Sequence, residues 1–203
     1  MKAICCDARE VRGLIDGTVW MLVRPIEPMR SQREWLSGDM LHMCRDATCV
    51  MGEDGLWAAF THPLGGPATS IKCPFGQPGD RLWVREPWSM GGNGPFYTNQ
   101  SDGTVHVAWN PAAQMPQKFS RLTLTITAVR PVRVRQIAED EIRALGIIPD
   151  MVDSGGSDPS GRWIEVPDYH APLSEMLDTR YRRRGLRMAD NWWAWLVGVE
   201  VVQ

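Results

Sequence analysis

A Pro/Gly turn that runs directly into a short apolar strand is the strongest local constraint in this chain. Residues 73–88 read Cys-Pro-Phe-Gly-Gln-Pro-Gly-Asp-Arg-Leu-Trp-Val-Arg-Glu-Pro-Trp. Gly76, Gln77, Pro78, Gly79 and Asp80 reverse the chain, because Pro presets φ and Gly tolerates dihedrals that other residues avoid. In the strand that follows, side chains alternate between faces. Leu82, Val84 and Glu86 share one face, and Trp83, Arg85 and Pro87 share the other. A strand with a carboxylate on one side and Trp and Arg on the other is a candidate wall of a site.

The flanking sequence supplies further short strands and few helices. Residues 1–6 suit a first strand. Asp7 has the character of an N-cap, with Glu10 three residues on completing a capping box, and Gly17 ends the helix. Residues 18–23 are β-branched and apolar and predict a strand, closed by Pro25 and Pro28. A short helix is expected around residues 33–43, a hairpin over 49–61 turning at Glu53-Asp54-Gly55, and loop over 63–68. Residues 89–103 predict an insertion-like loop with a short strand at 96–98, and residues 104–109 a further strand. Residues 121–135 alternate most clearly: Leu122, Leu124 and Ile126 oppose Arg121, Thr123, Thr125 and Thr127. Helices are expected over 138–145 and 172–184, a loop over 150–161 and a last strand over 191–202. Together these predict an α+β chain built as a small, mostly antiparallel β-barrel. Two or three helices flank it, in one domain over 1–203 with insertions near 29–69, 89–103 and 150–161.

Composition excludes several function classes. The formal net charge of −2 and a charged fraction of 23% argue against a broadly basic nucleic-acid coat. A local patch is compatible with both. The five cysteines are odd in number and irregularly spaced, which predicts free thiols in a reduced, cytoplasmic setting. There is no charged leader followed by an apolar run and no stretch of 18 apolar residues, so neither a signal peptide nor a membrane span is expected. Ten tryptophans admit two uses, large rings filling a small core or a stacking platform for a base.

Several segments in order resemble the ASCH family, a branch of the PUA-like barrels, and are most similar to its phage-encoded members. The resemblance rests on residues 10–17 (Glu-Val-Arg-Gly-Leu-Ile-Asp-Gly), on residues 73–88, on residues 115–127 followed by 129–146, and on the closing residues 191–200. It implies a PUA-like barrel that binds RNA, single-stranded DNA or a modified nucleotide, in the cytoplasm of a phage-infected or prophage-bearing cell. Members that hydrolyse an acylated cytidine carry Gly-x-Lys-x-x-Thr-x-Arg after the first helix, with a Glu from a later helix. Here the matching stretch is Gly17-Thr18-Val19-Trp20-Met21-Leu22-Val23-Arg24. The Lys position is Val19, the Thr position is Leu22, and the helix Glu falls on Leu145. Only Arg24 matches, and Trp20 replaces a polar residue. Val and Leu transfer no protons and attack no carbonyl.

What remains is a shaped cleft with Trp20, Arg24, Trp83, Arg85, Glu86 and Arg121 as ligand-binding candidates. Arg24 and Arg121 suit bidentate contact with a phosphate or carboxylate. For each arginine the plainer use is a surface ion pair, for Glu86 a salt bridge to one of them, and for Trp83 core packing. The most basic stretch supplies a second candidate set, Arg180, Tyr181, Arg182, Arg183, Arg184 and Arg187. It serves either as cations complementing a helix C-terminus or as a phosphate-contacting patch with a tyrosine to stack. Cys44, Cys49, Cys73, His42 and His62 lack clean ligand-pair spacing, and neither a metal nor a cofactor is predicted. His106 and His170 stand in no nucleophile–base pattern.

These residues support three readings: a non-catalytic nucleic-acid or modified-nucleotide binding module, a phage accessory protein that binds a host protein, and a hydrolase or nuclease built on non-standard residues. The loss of the Lys and Thr predicts that the protein releases no acetate from N4-acetylcytidine above the uncatalysed background. Robust turnover in that assay would overturn this expectation.

Overall fold

The computed structural model describes residues 1–27, 38–92, 94–98, 108–157 and 159–202, with 38–40 described by their backbone alone. Its strands are β1 (Lys2–Cys5), β2 (Met21–Pro25), β3 (Asp46–Gly52), β4 (Gly55–Thr61), β5 (Pro67–Lys72), β6 (Arg81–Arg85), β7 (Trp88–Gly91), β8 (Gly94–Tyr97), β9 (Thr123–Arg133), β10 (Asp150–Ser157), β11 (Trp163–Asp168) and β12 (Trp193–Val202). The helices are α1 (Ala8–Asp16), α2 (Gly38–Met43), α3 (Glu139–Ala144) and α4 (His170–Tyr181). The chain is therefore α+β, strand-rich with few helices.

A mixed five-stranded sheet in the order β1-β6-β9-β12-β2 organises the rest. β1 runs parallel to β6, and the other neighbours are antiparallel. β12 lies between β9 and β2 and is buried on both faces, as its near-continuous apolar sequence demands. Its side chains alternate between two cores. Trp193, Trp195, Val197 and Val199 point into one, where α1 and the three-stranded sheet β3-β4-β5 contribute Val11, Leu14, Leu56, Ala58, Phe60 and Ile71. Phe60 meets Trp193 edge to face at 5.4 Å between ring centroids. Ala194 and Leu196 point into the other core, closed by Ile142 of α3 and by Leu173, Leu177 and Tyr181, which recur every fourth residue of α4.

The closed barrel expected from the sequence is not formed by the described residues. β1 and β2 are the two edges of the sheet and share no backbone ladder. The sheet curls so far that these edges face each other, and the Arg24 Nη2 of β2 donates to the Cys5 carbonyl of β1 at 2.7 Å. A guanidinium stands where a backbone ladder needs strands about 4.8 Å apart, so the sheet stays open on that side. α1 links the two edges. It begins with the expected capping box, in which Glu10 N–H donates to Asp7 Oδ1 at 2.9 Å and Asp7 N–H donates to Glu10 Oε2 at 3.2 Å. It ends at Gly17, whose φ of 70° is the left-handed conformation that favours glycine.

Two segments differ from their sequence-based expectation. Residues 150–157 are not loop but β10, paired with β11 in an antiparallel hairpin. β7 pairs with β8 in a second antiparallel hairpin, where the sequence predicts only a short strand at 96–98. Both lie in Gly-containing sequence that carries no alternation to read. The hairpin expected over 49–61 is present as β3 and β4, and it buries Leu56, Ala58 and Phe60 in the first core. Of the helix expected over 33–43, residues 33–37 lie outside the described residues, as do most of the strand expected over 104–109 and His106. No helix among the described residues is long and apolar enough to cross a membrane.

The α1–β2 corner is packed to contact. A Cβ added at Gly13 would overlap Val19 Cγ2, and one at Gly146 would stand 2.6 Å from the same atom. Gly13→Ala is therefore expected to destabilise the protein by about 1–3 kcal/mol through overpacking, although Ala is the better helix former. Combining it with Val19→Ala should give a double-mutant cycle with favourable coupling. Additive losses in chemical denaturation would show that this contact does not set the corner.

Candidate functional site

One carboxylate joins the open edges. Glu10, 8% exposed, accepts Arg24 Nη1 at 2.9 Å on Oε1 and Arg24 Nη2 at 3.0 Å on Oε2. Arg180 of α4 reaches the same group, with Nη2 at 2.7 Å from Oε2 and Nη1 at 2.5 Å from Oε1, and pairs with Asp7 at 3.2 Å. Arg24 spends its remaining donors on the Val23 and Cys5 carbonyls. Burial alone would push the Glu10 carboxyl up. The charges and hydrogen bonds of the two arginines outweigh it and bring the pKa from an ordinary 4.5 down to about 2. Burial likewise opposes the Arg24 charge, and Glu10 more than restores it. Burial raises the pKa of Tyr181, whose hydroxyl donates to the Val23 carbonyl at 2.9 Å.

Above this cluster the gap between β1 and β2 opens into a cleft of about 760 Å³, within the range of small-molecule sites. β1 contributes Lys2, Ala3 and Cys5, and the β2 side contributes Arg24, Pro25 and Glu27. The turn after β5 brings Lys72, Cys73, Pro74 and Phe75; Arg180, Tyr181 and Arg184 come from α4 and the turn beyond it, and Trp195 from β12. Five cationic side chains thus line the cleft with one carboxylate, Glu27; of its three rings Phe75 is partly exposed, while Tyr181 and Trp195 are buried in the cores beneath. Two of the cations carry pairs at the rim. Lys72 donates to Asp54 at 2.6 Å, and Arg184 to Glu27 at 2.5 Å. Arg182, Arg183 and Arg187 are exposed in the turns that follow α4.

The structure therefore unites members of the two candidate sets: Arg24 with Arg180, Tyr181 and Arg184. The other sequence candidates do not line this cleft. Glu86 is 1% exposed and held bidentately by Arg121, with Nε and Nη2 each at 2.8 Å. Arg121 also lies over the Tyr97 ring at 4.3 Å. Trp83 is buried and covered by Arg85 at 4.6 Å. Trp20 is half exposed next to α3, where its backbone N–H donates to the Ala144 carbonyl. Val19, Leu22 and Leu145 are core side chains. Among the described residues no three His, Cys, Asp or Glu side chains converge as a metal site.

Sequence reasoning missed Lys2, Glu27, Lys72 and Phe75. Phe75 belongs to the turn half of residues 73–88, whose strand half drew attention instead. Glu10 carried a readable signal as a capping residue, but its two arginine partners lie 14 and 170 positions away. Comparisons with models of protein families, with curated proteins and with solved structures find no match to this chain.

Removing Glu10 leaves the buried Arg24 guanidinium without its carboxylate and Arg180 with Asp7 alone. Glu10→Ala is expected to cost about 3–5 kcal/mol. Because the folded pKa lies below the ordinary value, the stability from Glu10 is complete above about pH 4.5 and is lost as pH falls toward 2. The loss amounts to about 3 kcal/mol. Urea unfolding of the wild type and Glu10→Gln across this range should show the difference between them shrinking as pH falls. A constant difference would contradict the assignment.

Proposed function

We propose that this chain is a PUA-like module that binds single-stranded nucleic acid or a modified nucleotide in the β1–β2 cleft, without turning it over. The observation that carries this reading is the joining of a cationic, aromatic cleft to an exposed arginine ridge on a chain of net charge −2. Clustered cations release counterions from a phosphate backbone, and aromatic rings stack on bases without demanding a sequence. The PUA-like part of this reading draws on the sequence resemblance; the described strands form a curled open sheet with a helix linking its edges in place of a closed barrel. The aliphatic side chains at Val19, Leu22 and Leu145 support binding rather than amide hydrolysis.

A second reading, docking to a host protein, draws on the β10–β11 hairpin. Its strands pair with each other, and Met151, Trp163 and Ile164 stand exposed on it. Exposed Trp among apolar neighbours is typical of protein-binding hot spots. Pull-down from nuclease-treated host lysate should then recover a partner that Trp163→Ala loses.

For the cleft, a single-stranded mixed-sequence RNA is expected to bind with a slope of log K against log salt of about −2 to −3. Replacing Arg182, Arg183 and Arg184 together by Ala should weaken binding about tenfold or more and flatten the slope by about 2. Binding that ignores salt, or none in fluorescence anisotropy, would overturn the proposal.

A further inference from the structure

A second cavity of about 380 Å³ adjoins the cleft. The two share Pro25, Glu27 and Arg184 as lining. The wall between them is thus built around one ion pair, Arg184 Nη1 to Glu27 Oε1 at 2.5 Å, with side chains 56% and 47% exposed. An ion pair this exposed is weak and screened by salt. A phosphate offers Arg184 two oxygens and a stronger, charge-assisted contact.

The chemistry on the two sides of this wall differs. On the cleft side stand Tyr181, with the Arg184 guanidinium 5.9 Å from its ring centroid, and Phe75. On the far side the lining is mainly apolar and aromatic: Leu41, Leu186, Trp192 and Trp193. Arg133 is there too, but it donates to the carbonyls of Asn191, His42 and Cys44 and lies over Trp193 at 4.5 Å. With its donors on carbonyls and Asp190 nearby in the lining, the second cavity suits a base and disfavours a phosphate.

We infer that the two cavities together form one site for a strand of at least two nucleotides, with the phosphate that links them displacing Glu27 from Arg184. One base lies against the partly exposed Phe75, with the buried Tyr181 as floor, and the next enters the pocket of Trp192, Trp193 and Leu186. Glu27 is then a built-in competitor that an isolated base cannot displace and a linking phosphate can. This inference rests on the cleft being a nucleic-acid site.

The test compares adenosine 5′-monophosphate with the dinucleoside monophosphate ApA, which has one phosphate and a second base. Isothermal titration should show ApA binding about tenfold tighter or more, the gain from one further stacked base. Glu27→Gln should tighten ApA about fivefold by removing the competing carboxylate. Leu186→Trp, which fills the second cavity, should erase the advantage of ApA over the mononucleotide. The ratio is read within each protein, so a folding defect, which removes both affinities, is not mistaken for this result. Equal affinities in the wild type, or an advantage that survives Leu186→Trp, would overturn the two-cavity site. It would leave the cleft reading standing wherever a longer RNA still binds with salt dependence. Failure of ApA, the mononucleotide and the longer RNA alike would overturn both.

Discussion

The Glu10 carboxylate is placed where two guanidiniums and a helix N-terminus converge, and most of the candidate site follows from that placement. Capping fixes Glu10 at the third position of α1, so its side chain folds back toward the gap between the sheet edges. Arg24 then ties β2 to β1, and Arg180 ties α4 to the start of α1. A buried ion pair is weak evidence of net stability, since desolvation consumes much of what attraction returns. What this one provides is geometry: it holds the edges apart at a width that a backbone ladder would have closed.

The same arrangement sets the electrostatics. Glu10 and Asp7 together balance Arg24 and Arg180 at the base of the cleft, and the low pKa of Glu10 keeps that balance constant through the neutral range. The rim cations Lys72 and Arg184 are paired instead with the exposed Asp54 and Glu27. The field of the site is therefore graded, fixed at the base and adjustable at the rim. Acidic residues concentrate elsewhere, notably Asp150, Asp153, Glu165 and Asp168 on the β10–β11 hairpin. A chain of nearly neutral net charge can in this way present one positive face.

Much of the architecture was legible because it depends on local pattern. The alternation at Leu122, Leu124 and Ile126, the capping box at Asp7 and Glu10, and the apolar run at 193–199 each write their element into neighbouring residues. β10 and β7 were not legible, because Gly- and Ser-containing ribbons are specified by backbone pairing across a turn; β8 showed only as the short strand expected at 96–98. The candidate site was half legible for a similar reason. Residue type marked Arg24 and the 180–187 stretch, while their union depends on the curl of the sheet. Glu86 and Arg121 looked like ligand contacts by type, yet they lie side by side, just after β6 and just before β9, and form the salt bridge that was the plainer reading of Glu86.

The position of β12 has a consequence for how the chain is made. It separates β9 from β2 in the sheet and supplies side chains to both cores, yet residues 193–202 follow every other described strand in sequence. During synthesis, β2 and β9 must wait, with their apolar faces unpaired, for the strand that joins them. Pairing Leu22 with Val197 closes a loop of most of the chain, and such non-local closure is slow. The nascent protein therefore passes through a stage that depends on chaperone protection or on rapid completion, and its yield in the cell should be governed by that interval as much as by the stability of the finished fold.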